Sequence, residues 1–236
     1  MKRLVLFLVI VELTTIVVCG QKREVRPVSA FTGIKASSLF NITVTKGNTE
    51  SLTIEAIDEV MPRVRSEVRD SVLHLYLVDN QNGNKRSEVK KLNAFIVMNN
   101  LEKVTLSGIT KLTSKDLFTP ESFKGDISGI SSMTINVNTK QLNINMHGIS
   151  KVKMNAEVTG NTELNLSGIP KVRGKLTADS VVINSRGAST INLKGRAGVL
   201  HTLNEAKSSN APIIKYKHKR RMSKGANDSK RFTKIK

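Results

Sequence analysis

The sequence predicts an all-β solenoid of about 20 residues per coil on three observations: a glycine signature repeated at near-constant spacing, apolar columns in step with it, and two-residue alternation between them. The signature reads Ser107-Gly108-Ile109, Ser128-Gly129-Ile130, His147-Gly148-Ile149, Ser167-Gly168-Ile169 and Arg186-Gly187-Ala188, with glycines 21, 19, 20 and 19 residues apart. Such a period marks an architecture in which each unit buries its apolar face only by stacking on its neighbours.

Counted from each glycine, the columns separate. Two before it stand Leu106, Ile127, Met146, Leu166 and Ser185; four after it, Leu112, Met133, Val152, Val172 and Ile191; six after it, Ser114, Ile135, Met154, Gly174 and Leu193. One after it stand Ile109, Ile130, Ile149, Ile169 and Ala188. All four columns are expected in the core. The intervening positions, three, five and seven after the glycine, are almost all polar, which is the alternation of a half-buried strand and not of a helix. Each unit then reads as a turn, a strand and a second short strand such as Leu142–Met146, with the glycine at a corner that needs a sharp bend or a positive φ.

Three before the glycine run Thr105, Asp126, Asn145, Asn165 and Asn184. Amides stacked about 4.8 Å apart can hydrogen-bond along a stack, so a structural ladder is expected here in preference to a ligand site.

Upstream, residues 24–100 read as a β-rich N-terminal part that caps the solenoid and continues into it. Phe40–Thr45 and Ser51–Ala56 alternate strictly around the turn residues Lys46-Gly47-Asn48, Val72–Val78 and Ala94–Met98 are further strands, and the polar run 79–91 is an exposed loop. A cap is needed because the first open coil would otherwise present unpaired edges and apolar interior. The repeats extend over 101–216, and 217–236 is a basic terminal coil or a frayed tail.

Residues 1–20 read as a secretory signal: Lys2 and Arg3, a largely apolar stretch from Leu4 to Val18, then Cys19-Gly20. Cys19 is the sole cysteine. It is compatible with lipidation as the first residue of a lipoprotein or with cleavage after Gly20, which the bulk of Val18 favours. In both cases no disulfide staples the mature domain. No later segment approaches the roughly 20 apolar residues of a membrane helix, so the mature chain is expected to lack a transmembrane segment.

The order of these parts carries a resemblance. Val28-Ser29-Ala30-Phe31-Thr32-Gly33-Ile34, then Phe40–Val44, Ser51–Ala56 and Val72–Leu75, followed by serial Ser-Gly-Ile units, resembles the putative auto-transporter adhesin, head GIN domain family. That family usually shows Ser-Gly-Ala where this chain has Ser-Gly-Ile. The resemblance implies a right-handed parallel β-helix in an exported envelope or surface protein of Gram-negative bacteria, in the periplasm, at the outer membrane surface or outside the cell. It transfers no catalytic residue and no cofactor.

Charge is the feature that reaches function. The chain has 38 Lys and Arg against 19 Asp and Glu, a net +19, and residues 215–236 hold ten basic residues against Asp228. Within the repeats the outward columns carry Lys111, Lys151 and Lys171 three after the glycine, Lys153 and Arg173 five after, and Lys115, Lys175 and Lys194 seven after, with no acidic residue among them. These eight form a candidate face for an anionic ligand: acidic polysaccharide, lipopolysaccharide or an acidic protein partner. The alternative is a solvated face that keeps the protein soluble.

Enzyme readings find less support. The acids Asp116, Glu121, Asp126, Glu157, Glu163 and Asp179 fall in different columns, His74, His147, His201 and His218 are dispersed, and no metal-ligand or phosphate-loop spacing occurs. Nucleic-acid binding is disfavoured by the export signal, the scarcity of aromatics and the absence of Trp. The expectation is therefore a non-enzymatic exported binding protein without catalytic, metal or cofactor-binding residues, ahead of a polysaccharide-acting β-helix enzyme or a purely structural envelope protein.

Overall fold

The computed structural model describes residues 21–78 and 92–204. The expected signal segment with Cys19, the polar loop 79–91 and the basic C-terminal stretch, including Asn210–Tyr216, lie outside the described residues.

Seven strands form the N-terminal part: β1 (Gln21–Arg26), β2 (Gly33–Ala36), β3 (Asn41–Lys46), β4 (Ser51–Ile57), β5 (Val64–Arg69), β6 (Val72–Leu77) and β7 (Asn93–Met98). Eight more build the repeats: β8 (Lys103–Leu106), β9 (Lys111–Phe118), β10 (Ser122–Ile127), β11 (Ser132–Thr139), β12 (Gln141–Met146), β13 (Lys151–Gly168), β14 (Lys171–Gly187) and β15 (Thr190–Asn204). They stack as a β-solenoid of about five turns, roughly 20 residues each. One ladder runs in parallel through β3, β9, β11 and β13, the other through β2, β8, β10, β12 and β13, and the long strands β13, β14 and β15 each contribute to both. A register irregularity between Val158 and Asn161 marks where the long strands turn from one ladder to the other.

The registers confirm the stacking read from the glycine spacing. Leu112, Met133, Val152, Val172 and Ile191 pair in succession, as do Leu106, Ile127, Met146, Leu166 and Ser185, and all ten are buried. Each fully buried aliphatic side chain contributes roughly 1.5–3 kcal/mol before conformational entropy is subtracted.

One expected core column is overturned. Ile109, Ile130, Ile149 and Ile169 are exposed, as is Ala188, although they do lie one above another. The backbone N–H of Ile109 donates to Ser38 O at 2.8 Å, that of Ile130 to Gly108 O at 2.8 Å, that of Ile149 to Gly129 O at 2.9 Å and that of Ile169 to Gly148 O at 2.9 Å. The cause is the corner. The glycines take φ between 72° and 97°, so the glycine and its successor both lie outside, and alternation resumes one residue later. The inward column is thus Thr110, Ser131, Ser150, Pro170 and Ser189. Thr110 Oγ1 donates to Ser107 O at 2.8 Å, and Ser185 Oγ and Ser189 Oγ lie 2.6 Å apart, whereas buried Ser150 Oγ has no partner among the described residues. A short polar side chain suffices there because the corner is narrow and backbone carbonyls are within reach.

The N-terminal part is more than a lid. β2 and β3 form a coil of their own, with Ser37-Ser38-Leu39 at the corner and Ser38 at φ 84° in the place of glycine. In space this coil lies between β6–β7 on one side and β8–β9 on the other, all in parallel. Antiparallel strands close the end: β5 on β6, then β4 on β7 and β1 on β4. Arg26 pins this closure, its Nη1 donating to Val64 O at 2.9 Å and to Ser66 Oγ at 3.2 Å. The guanidinium of Arg23 lies 5.0 Å from the centre of the Phe95 ring, a favourable cation–π distance.

Candidate functional site

The eight basic residues singled out by column are all exposed on the ladder containing β9, β11, β13, β14 and β15. Inward-facing Val152, Met154, Val172 and Leu193 alternate with them, so burial of the apolar set dictates the orientation of the charged set. Lys151 pairs with Lys171, Lys153 with Arg173, and Lys175 with Lys194. Paired residues in adjacent strands are about 4.8 Å apart. These six cations therefore form one compact patch on three consecutive coils. No ion pair joins any of them to another described residue.

Lys111 and Lys115 stand apart from the patch. Lys111 is separated from Lys151 by Ser132 in its column. Lys115 leaves its column altogether, because β9 carries extra residues against β11: Thr113 pairs with Thr134 but Leu117 with Asn136. That bulge turns Asp116 towards β3, where its Oδ2 accepts the Lys46 N–H at 2.8 Å, and leaves Lys115 O to accept Asn136 Nδ2 at 2.7 Å. An irregularity of this kind is invisible to column counting. Conversely, the same alternation continues to Glu157, Thr177 and Arg196, successive partners two residues beyond the patch. Counting one column further would have found this edge.

The opposite ladder is chemically different. Asn145 Nδ2 donates to Asp126 Oδ1 at 2.6 Å, Asn165 Nδ2 to Asn145 Oδ1 at 3.0 Å and Asn184 Nδ2 to Asn165 Oδ1 at 2.7 Å. This is the amide ladder expected from the sequence. Glu163 is drawn into it, accepting Asn143 Nδ2 and Asn165 Nδ2, each at 3.0 Å. Asp126 and Glu163 are thus committed to hydrogen bonds within the stack.

At the corner after β11, Lys140 Nζ lies 2.7 Å from Glu121 Oε1. The Lys140 hydrogen bond and charge lower the Glu121 pKa, and the same contact raises that of Lys140. Glu102, Ser122 and Gln141 line an open depression with this pair. Among the described residues no group of three or more His, Cys, Asp or Glu side chains gathers as metal ligands would, and no helix is long and apolar enough to cross a membrane.

Comparison with solved structures returns the same architecture. A putative adhesin from Bacteroides fragilis NCTC 9343 superposes with a TM-score of 0.62 at 18% identity, covering 84% of this chain and 97% of that one. A putative adhesin from Parabacteroides distasonis ATCC 8503 gives a TM-score of 0.52 at 14% identity, covering 84% and 97%. At these identities the likeness concerns the fold alone. A search of curated proteins returns no match. The model of the family described as "Putative auto-transporter adhesin, head GIN domain" matches residues 30–197, which takes in the N-terminal coil and every glycine corner, and the chain belongs to that family.

Proposed function

We propose that this protein is a non-enzymatic, exported binding module of the cell envelope whose cationic face gathers an anionic polymer, an acidic polysaccharide or the phosphorylated glycan of lipopolysaccharide in the first place. The observation that carries the reading is the patch Lys151, Lys153, Lys171, Arg173, Lys175 and Lys194, held at one-coil spacing on a rigid sheet without carboxylate partners. Stacked like charges repel, and an anionic chain lying across the coils relieves that repulsion while exchanging its own counterions for fixed cations. The family description as adhesin and the export signal expected at residues 1–20 support a role at the surface.

The test is binding of a soluble acidic polysaccharide at several salt concentrations by the wild type and by a K151Q/K153Q/R173Q/K175Q variant. Affinity is expected to fall about tenfold or more between low and physiological salt, and the variant to lose most of both the affinity and its salt dependence. Salt-insensitive binding of a neutral glycan would overturn the electrostatic reading, and turnover of an acidic glycan would replace it with an enzyme.

A further inference from the structure

The isoleucines displaced from the core form a continuous feature of their own. Leu39, Ile109, Ile130, Ile149 and Ile169 stand on successive corners, exposed by 41%, 54%, 59%, 59% and 49%. At about 4.8 Å per coil the row is about 19 Å long. Exposed apolar side chains scattered singly need no explanation, but five in line are not scattered. The corner itself does not call for them, since Ala188 occupies the equivalent place on the next coil and the buried turn residue is the Ser, Thr or Pro that follows.

The surroundings say what can cover the row. Two residues after the isoleucines stand exposed Lys111, Lys151 and Lys171; on the other flank are Ser107, Ser128, His147, Ser167 and Arg186. Neither flank holds a carboxylate. A second copy docking row to row would bring lysine columns together in a protein of net charge +19, so the charge opposes self-association. The row runs along the sharp positive-φ corners at Ser38, Gly108, Gly129, Gly148 and Gly168, a placement that suits a deformable partner that lets side chains in. A partner both anionic and apolar beneath its surface meets both requirements.

We infer that this corner is a membrane-docking edge: the Leu39–Ile169 row enters the interface of an anionic bilayer while Lys111, Lys151 and Lys171 meet its phosphate headgroups. Shallow insertion of apolar side chains beside cations is the usual physics of interfacial binding, and each signal alone is weak. The electrostatic half of the inference rests on the cationic face proposed above; the apolar half does not.

The protein contains no Trp, so Ile149→Trp supplies a single fluorescent reporter on the edge. Its emission is expected to shift to the blue on adding vesicles of phosphatidylcholine and phosphatidylglycerol, and to stay unchanged with pure phosphatidylcholine or with soluble acidic polysaccharide. In vesicle flotation, an I109S/I130S/I149S/I169S variant is expected to bind at least about tenfold more weakly than wild type while retaining polysaccharide affinity. Should the fourfold variant fail to fold, Ile149→Ser alone and the reporter decide. Flotation unaffected by the serines, or a reporter that stays in water on anionic vesicles, would overturn the inference and leave polysaccharide binding standing. A wild-type dimer dissociated by the same substitutions, with no vesicle binding, would make the edge a self-interface. Loss of polysaccharide binding alone would remove the anionic-polymer reading without touching the insertion of the row.

Discussion

At the residue scale the corner glycine governs the phase of everything after it. A Cβ on Gly129 would lie 2.6 Å from Gly108 O, in a backbone at φ 72° that side chains rarely adopt. Gly129→Ala is therefore expected to destabilise the fold by about 2–3 kcal/mol in chemical denaturation, because neither the backbone carbonyl nor φ can yield cheaply. Ser38 offers the converse experiment. It holds φ 84° with a side chain, so Ser38→Gly is expected to raise stability by about 0.5–1 kcal/mol, less than the full strain because glycine also loosens the unfolded chain. A loss of stability in Ser38→Gly would show that its hydroxyl contributes more than its strain costs.

At the scale of elements, the two ladders of the solenoid differ in how far side-chain amides bond their outer faces coil to coil. The ladder carrying Asn145, Asn165 and Asn184 is bonded coil to coil by side-chain amides, each donating to the coil before it. Asn165 is the middle member and also donates to Glu163, so Asn165→Ala leaves Asn184 Nδ2 and Asn145 Oδ1 without their partners. The expected cost is about 1–3 kcal/mol, visible as a lower denaturation midpoint with an unchanged slope. The ladder carrying the lysines has one such bond, Asn155 Nδ2 to Asn136 Oδ1 at 2.9 Å, and from there on its column passes to Lys175 and Lys194, which repel each other.

At the scale of the whole molecule, the outer faces differ: the six-cation patch lies on one ladder, the other mixes amides with both Asp126 and Glu163 and the lysines Lys103 and Lys124, and an apolar edge runs beside the patch. The repulsion within Lys151, Lys153, Lys171, Arg173 and Lys175 is screened by salt, so the melting temperature is expected to rise as sodium chloride is raised from about 0.01 M to 0.3 M, where the Debye length shrinks from about 30 Å to well under 10 Å. The K151Q/K153Q/R173Q/K175Q variant should be the more stable protein at low salt and the less sensitive to its addition. A wild-type melting temperature that falls with salt would mean that attractive ion pairs, and not this repulsion, dominate. The same solenoid ties distant parts of the chain together. The β2–β3 coil is completed by β6–β7 on one side and β8–β9 on the other, so it cannot be finished until strands some 70 residues downstream arrive.

Sequence alone determined the solenoid, its period, three buried columns and the amide ladder, because stacking forces equivalent residues to share an environment and so writes a repeat into the chain. It also determined which cations share a face, since period-2 alternation fixes their side once Val152 and Val172 are buried. Only the tertiary structure decided the fate of Ile109, Ile130, Ile149 and Ile169, for hydrophobicity argues for burial while a left-handed glycine sends the next residue outward, and backbone geometry prevails over side-chain preference. Only it could displace Lys115 through the β9 bulge and seat β2–β3 between later coils, since bulges and the spatial order of strands are settled by long-range pairing that leaves no local mark.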